Sequence, residues 1–293
     1  MSKQFKWWIP YLFIIPAGII LVLFFFIPFF ESFLLSFQDY RHCIYQPHWV
    51  GLQNYINLFN APVFWKTMLN TFIYLVGAVP ALVIFPLIIA IVINQKLRGI
   101  NIYRTLIYIP VIVSLVVAGI AWKWLYASNG VLNYLISLVN LPSVGWLTDP
   151  NVAIYSVIAV TVWKGLGYYM VIYLAALTAV PKDLYEAADI DGADEIHKHL
   201  TVTVPHLKPT IALVSIISSI SAMKVFVEIY VMTQGGPMNA SKTIVYYIYQ
   251  RAFENLDLGY ASAAGVVLLV IIMILSVINM KFFEESKTAP LGG

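Results

Sequence analysis

The chain has 293 residues, of which 61% are hydrophobic, 15% aromatic and only 11% charged, with a mean hydropathy of +0.83. A soluble domain carries about 25% charged residues, so 17 Lys and Arg with 14 Asp and Glu cannot solvate a globule of this length, and the composition is that of a polytopic helical membrane protein. The net charge of +3 is too small and scattered for a nucleic-acid footprint, and the single cysteine, Cys43, excludes an internal disulfide and any multi-cysteine zinc or iron–sulfur site.

A hydrocarbon core of about 30 Å needs roughly 20 mostly apolar residues as helix, and six stretches supply them. Ile9 to Phe30 is uncharged. It is longer than the apolar region of a signal peptide, and no A-x-A-like site follows closely, so it reads as a retained first span. Thr67 to Asn94 is the second, also uncharged, and Thr105 to Tyr126 the third, interrupted only by Lys123. The fourth is Val152 to Thr178 with Lys164 inside, the fifth Thr210 to Met232 with Lys224 and Glu228, and the sixth Ala261 to Met280. Lipid offers unpaired backbone groups no partner, so each stretch must be helical. The predicted fold class is all-α: six transmembrane helices in one domain over residues 9–283, with tails at 1–8 and 284–293.

Ten Lys and Arg fall in one set of connections: Lys3, Lys6, Lys96, Arg98, Arg104, Lys182, Lys198, Lys208, Lys281 and Lys287. The other set holds four, Arg41, Lys66, Lys242 and Arg251. The richer set is expected in the cytoplasm, which places both termini inside. Trp49, Trp65 and Trp146 in the outer loops, with Trp122 and Trp124 closing the third helix, suit an interfacial belt. Prolines at 10, 16, 28, 80, 86 and 110 read first as kinks that shape packing, and as helix breaks at a transport site in the sharper reading.

Charge inside a membrane is costly and by default functional. Lys123 can snorkel to the interface. Lys224 and Glu228, one helical turn apart, could neutralise each other or serve a gate or a substrate contact. Lys164 stands about 18 Å into the fourth helix, near mid-membrane. Thr161, Lys164, Gly165 and Tyr168 share one helical face, and Ser218, Ser221, Ala222 and Val225 share another. Two such faces would make a polar seam for a hydroxyl-rich solute, although helix packing through small residues explains the same pattern.

The connection from Pro181 to Pro209 carries six acidic residues between Asp183 and Glu195. Leu184 to Ala188 favours helix, Gly192 should end it, and a second short segment, Glu195 to Leu200, leads to Pro205, with the fifth helix beyond. The sequence Glu186-Ala187-Ala188, then Asp191-Gly192-Ala193, then Pro205 resembles the EAA loop of permease subunits in binding-protein-dependent ATP-binding-cassette importers. Gly51-Leu52-Gln53-Asn54-Tyr55, Asn70-Thr71, Tyr103-Arg104-Thr105 with Pro110, and Trp122 to Asn133 are similar to the sugar-permease core. The run from Phe226 through Thr233-Gln234-Gly235-Gly236-Pro237 to Tyr246-Tyr247 and Ala252-Phe253 resembles the carbohydrate-uptake branch, of the maltose and glycerol-3-phosphate permease type.

The resemblance implies a permease subunit of an ATP-driven importer of a carbohydrate or polyol. Its partners would be a second homologous permease, a cytoplasmic ATPase dimer, an extracytoplasmic solute-binding protein and membrane lipid, with no nucleic acid. Glu186, Ala187, Ala188, Asp191 and Gly192 would dock the loop in an ATPase groove. Lys164, Gly165, Tyr168, Ser218 and Ser221 would line the substrate path. The resemblance also implies a chain that binds no cofactor or metal and catalyses nothing; it lacks a phosphate-cradling G-x-x-x-x-G-K-[ST] loop, so ATP and Mg2+ would be used by the partner ATPase. Ile196 and His199 depart from the family, which has an aromatic side chain there, and Lys164 is unusual for a neutral-sugar site. The alternative is an ion-coupled secondary transporter of a small polar solute, with Glu228 its one candidate carboxylate. A membrane enzyme lacks support, because His42, His48, His197, His199 and His206 fall outside the six stretches and His197 and His199 read as solvated.

Overall fold

A computed structural model describes residues 9–41, 47–94 and 99–288, with side chains described over 11–41, 47–94 and 99–281. The expected tail at 1–8, Cys43, Lys96 and Arg98 lie outside the described residues. Helix α1 (Ile9–Leu21) passes through a widened π turn at Val22–Phe26 into α2 (Ile27–Leu35). The ring of Pro28 would clash with the carbonyl four residues back, and the π turn containing Phe24 relieves that conflict without ending the helix. A ribbon of two short strands follows, β1 (Gln38–Asp39) antiparallel to β2 (His48–Trp49), then α3 (Gln53–Asn60). Next come α4 (Pro62–Ile93), α5 (Ile100–Ile112), α6 (Leu115–Leu125), α7 (Val131–Ser137), α8 (Ala153–Leu177) and α9 (Lys182–Ile190). Helix α10 (Glu195–Lys198) runs through a π turn at His199–Thr203 into α11 (Val204–Met223), and α12 (Val227–Met232), α13 (Ile244–Tyr249) and α14 (Leu258–Thr288) complete the order.

Among the described residues five helical runs are long and apolar enough to cross a membrane, and α5 with α6, bent by 98° between them, brings the number to six when the pair is counted as one span. The fold class is therefore all-α and polytopic, as predicted. Two spans differ from expectation. The third is not one straight helix from Thr105 to Tyr126: Val113 and Ser114 are extended, with ψ of 135° and 136°. The fifth does not begin at Thr210 but is helical from Glu195 onward. It passes Pro205 because a π turn precedes that proline, as one precedes Pro28. It then stops at Met223, and Lys224 to Phe226 break the expected run to Met232.

The chain forms two compact units. In the first, residues 1–61 with 248–269, the Asn54 amide donates to the carbonyls of Ser36 (3.0 Å) and Gln38 (2.8 Å), fastening the ribbon to α3. Phe37 stacks on Trp49 at 5.5 Å, and Arg41 bridges Asp39 (3.2 Å) and Asp257 (3.7 Å). The Gly51 to Tyr55 motif is thus local architecture. In the second unit, residues 62–247 with 270–293, α4 packs along α8 and α11, α5 along α8, and α6 against α12. Small residues set these approaches, since lipid supplies no hydrophobic drive between helices. A Cβ on Gly119 would stand 3.0 Å from Val231, and one on Gly77 would stand 2.9 Å from Ile158. Tyr74, Ala78, Val157, Val160, Met170, Tyr173 and Val214 are fully buried at this core.

Candidate functional site: a polar cavity within the helices and an exposed elbow

Helices α4, α8 and α11, with the ends of α5 and α6 and with α12, enclose a cavity of about 370 Å³. All eight residues of the two predicted polar faces line it: Thr161, Lys164, Gly165 and Tyr168 from α8, and Ser218, Ser221, Ala222 and Val225 at the end of α11. Tyr74 of α4 and Tyr169 of α8, which the sequence did not single out, line it too, as does Glu228 of α12, for which a gating or substrate role is the second expectation. Tyr74 looked like any aromatic in an apolar helix. Its hydroxyl is hydrogen-bonded to Thr161, and Thr161 donates to the Glu228 carboxylate at 3.4 Å. The three groups form a hydrogen-bonded chain from α4 through α8 to α12.

The five predicted path residues differ in what they offer a solute. Ser221 is exposed and Tyr168 is 44% exposed. Ser218 is fully buried and spends its proton on the Val214 carbonyl at 2.7 Å. Gly165 has no side chain, and a Cβ there would lie 2.6 Å from Leu82, so its smallness serves the α4–α8 approach. Lys164 does not extend freely into the cavity; its ammonium donates to the carbonyls of Pro110, Val111 and Val113. The expected pairing of Lys224 with Glu228 is not formed. The helix breaks between them, Lys224 is exposed, and Glu228, 9% exposed, turns inward to Thr161.

The Thr233 to Pro237 motif opens a loop whose later residues, from Asn239 to Ile244, are held from α4. The Asn70 amide, 5% exposed, donates to the carbonyls of Asn239 (2.7 Å) and Lys242 (3.0 Å), and the Thr71 hydroxyl accepts from the Ile244 N–H (2.9 Å). Within the loop Ser241 donates to the Gly236 carbonyl at 2.5 Å. Asn70→Ala would leave two carbonyls without their donor at a cost of about 2 kcal/mol. The expected result is a lower thermal midpoint and faster proteolysis between Thr233 and Thr243. Unchanged cleavage there would mean the loop holds itself.

On the other connection, α9 ends in a Schellman motif: Ala193 N–H donates to the Ala188 carbonyl (2.9 Å) and Gly192 N–H to the Asp189 carbonyl (3.1 Å). Gly192 sits at φ +78°, the left-handed region that disfavours a side chain. Asp194 caps α10 through the His197 N–H (2.7 Å), and Lys198 bridges Asp189 (2.5 Å) and Glu195 (2.6 Å), tying α10 to α9. The Tyr185 and Thr203 hydroxyls are bonded at 2.8 Å. His199 is not solvated as expected: its Nδ1 is 3.0 Å from the Thr203 hydroxyl. The elbow is clipped from behind while Glu186, Ala187, Asp191 and Gly192 are exposed, and Ala188, half-buried, shares with Asp191 and Gly192 a surface depression of about 490 Å³. Gly192→Ala is expected to cost about 1 kcal/mol, read as roughly fivefold faster amide exchange at Ala193. Exchange at the wild-type rate would count against the turn.

Among the described residues no cluster of three or more His, Cys, Asp or Glu side chains is placed to hold a metal ion. A multi-span helical bundle with an internal polar cavity and a rigid elbow is the build of a membrane permease. Residues 55–287 match the family described as the binding-protein-dependent transport system inner membrane component, and the chain belongs to that family. It is 36% identical over 284 residues to the "Probable ABC transporter permease protein YurN" of Bacillus subtilis, covering 95% of this chain and 97% of that one. It is 35% identical over 282 residues to the arabinooligosaccharides permease AraP of Bacillus subtilis, covering 95% and 89%. Among solved structures, a bacterial ABC transporter involved in import of the acidic polysaccharide alginate superposes with a TM-score of 0.85, at 25% identity over 95% of this chain and 96% of that one. This family membership also corrects the ion-coupled alternative, which the Glu228 carboxylate had suggested.

Proposed function

We propose that this chain is one of two homologous permease subunits of an ATP-driven importer for a carbohydrate or polyol, receiving its solute from an extracytoplasmic binding protein and coupled through α9 to a cytoplasmic ATPase dimer. The observation that carries this reading is α9. It is a short helix between the fourth and fifth spans, closed at Gly192 and braced by Lys198, with Glu186 and Ala187 facing outward. A rigid, exposed helix can transmit a push, whereas a solvated loop would absorb it. Ile190 and Ile196, 86% and 72% exposed, give the elbow apolar contact area, Ile196 at one of the two positions where the family carries an aromatic side chain. Both termini are then cytoplasmic in a bacterial inner membrane, and residues 9–283 form the permease domain.

Saccharides named for AraP and for the alginate transporter favour a carbohydrate cargo. A cavity of about 370 Å³ with Thr161, Tyr168 and Ser221 on its walls suits hydroxyl-rich solutes in size and chemistry. The chain itself acts without catalysis or a cofactor, and ATP with Mg2+ is consumed by the ATPase. The test is a pull-down of the tagged chain in mild detergent. A second six-helix permease with an ATPase is the expected result, and a lone chain or homodimer recovered repeatedly would overturn the proposal.

A further inference from the structure

The third span breaks at Val113 and Ser114, which leaves the last carbonyls of α5 without intrahelical donors. In a membrane such groups are costly unless another part of the protein satisfies them. An ammonium carries three donors, and that of Lys164 is within reach of three carbonyl oxygens at this break, of Pro110 (3.0 Å), Val111 (3.3 Å) and Val113 (2.6 Å). A cation there also complements the negative end of α5. Gly167, one turn along α8, is what lets α5 come so near: a Cβ on it would stand 2.5 Å from the Ile107 carbonyl oxygen and 2.9 Å from the Tyr108 Cα. Val111 and Leu115, on either side of the break, both line the cavity.

We propose that Lys164 is a positioning residue: its ammonium holds the 98° break of the third span and thereby sets Val111 and Leu115 as a wall of the cavity. The proposal rests on the reading of that cavity as the solute path. Its protons are committed to backbone carbonyls, so Lys164 acts on a solute through the shape of the wall and is not the binding group for a phosphate or carboxylate. The mid-membrane lysine that looks like an anion site is a helix cap supplied in trans by a neighbouring helix.

The test uses the full chain with its co-purifying partners in lipid nanodiscs, Cys43 replaced by serine, and spin labels introduced through Ile102→Cys and Trp124→Cys, exposed positions on the two arms of the break. Lys164→Met removes the donors at similar volume, and Lys164→Arg keeps donors and charge. Lys164→Met is expected to broaden the inter-label distance distribution, and Lys164→Arg to keep it as narrow as in the parent chain. Separately, ethyl methanethiosulfonate, a small neutral reagent, is used on Ser221→Cys in the cavity. Labelling is expected to be about tenfold faster with Lys164→Met, as the unpaired carbonyls release the break to other conformations. If Lys164→Met prevents accumulation, Lys164→Arg decides alone: a broadened distribution overturns the proposal. A parent-like distribution and labelling rate in Lys164→Met also overturn it and return Lys164 to a group facing solute. Neither readout requires transport, so failure here is distinguishable from failure of the importer reading, which the pull-down tests.

Discussion

Gly167→Val is expected to lower the thermal midpoint of the detergent-solubilised chain by several degrees. At most glycines in this fold an added methyl meets a flexible side-chain tip or open space. At Gly167 it meets backbone, the Ile107 carbonyl at 2.5 Å and the Tyr108 Cα at 2.9 Å, and a main chain inside a helix cannot rotate aside. Helix α5 must move off α8, carrying the carbonyls that Lys164 holds. Overpacking of a close contact costs about 1–3 kcal/mol, sometimes more, and each kcal/mol lowers the midpoint of a chain this long by about 2–4 °C. Gly265→Ala is the control, because no described atom lies within 4 Å of the added Cβ and a helical alanine is favoured over glycine. A Gly167→Val melt that overlays the parent's would mean α5 and α8 do not meet there.

Glu186→Ala is expected to separate stability from coupling. Glu186 is exposed on α9 and makes no hydrogen bond or ion pair with other described residues, so its removal should leave the midpoint unchanged. If α9 docks in an ATPase groove, truncating one partner of a hydrogen-bonded charge contact costs about 2–5 kcal/mol of association. The ATPase should then drop out of the pull-down while the second permease remains. Equal recovery of ATPase with parent and variant would remove Glu186 from the contact.

Much of this was legible in the chain because membranes simplify the code. Apolar runs of 20 residues or more, uncharged but for Lys164 in α8, read as membrane helices, which located the α1–α2, α4, α8 and α14 spans. Helical period also grouped Thr161, Lys164, Gly165 and Tyr168 correctly, as it did Ser218, Ser221, Ala222 and Val225. The fifth helix was placed too late because its first turns, from Glu195 through His206, are polar, and because Pro205 reads as a stop unless a π turn precedes it. The break in the third span had no mark beyond Pro110, one of six prolines that could be read as a kink or a break. Ile109 to Val117 is almost uniformly apolar, and Pro110 lies inside α5 rather than at the bend.

Glu228 shows the same limit from the other side. Sequence distance paired it with Lys224, because a continuous helix would place them one turn apart, but the chain turns at Val225 and Phe226 and aims the carboxylate at Thr161 instead. Composition and period determined by themselves that this is a multi-span helical membrane protein, which faces of α8 and α11 are polar, and that a short capped helix joins them, since these are properties of hydropathy and local backbone preference. Only the tertiary structure decided that Lys164 caps a helix 51 to 54 residues earlier in the chain, that Asn70 holds a loop 169 to 172 residues later, and that Glu228 faces the cavity. The reason is that an orphan carbonyl and a buried donor find each other through space, and no local pattern in the sequence records which distant partner will satisfy them.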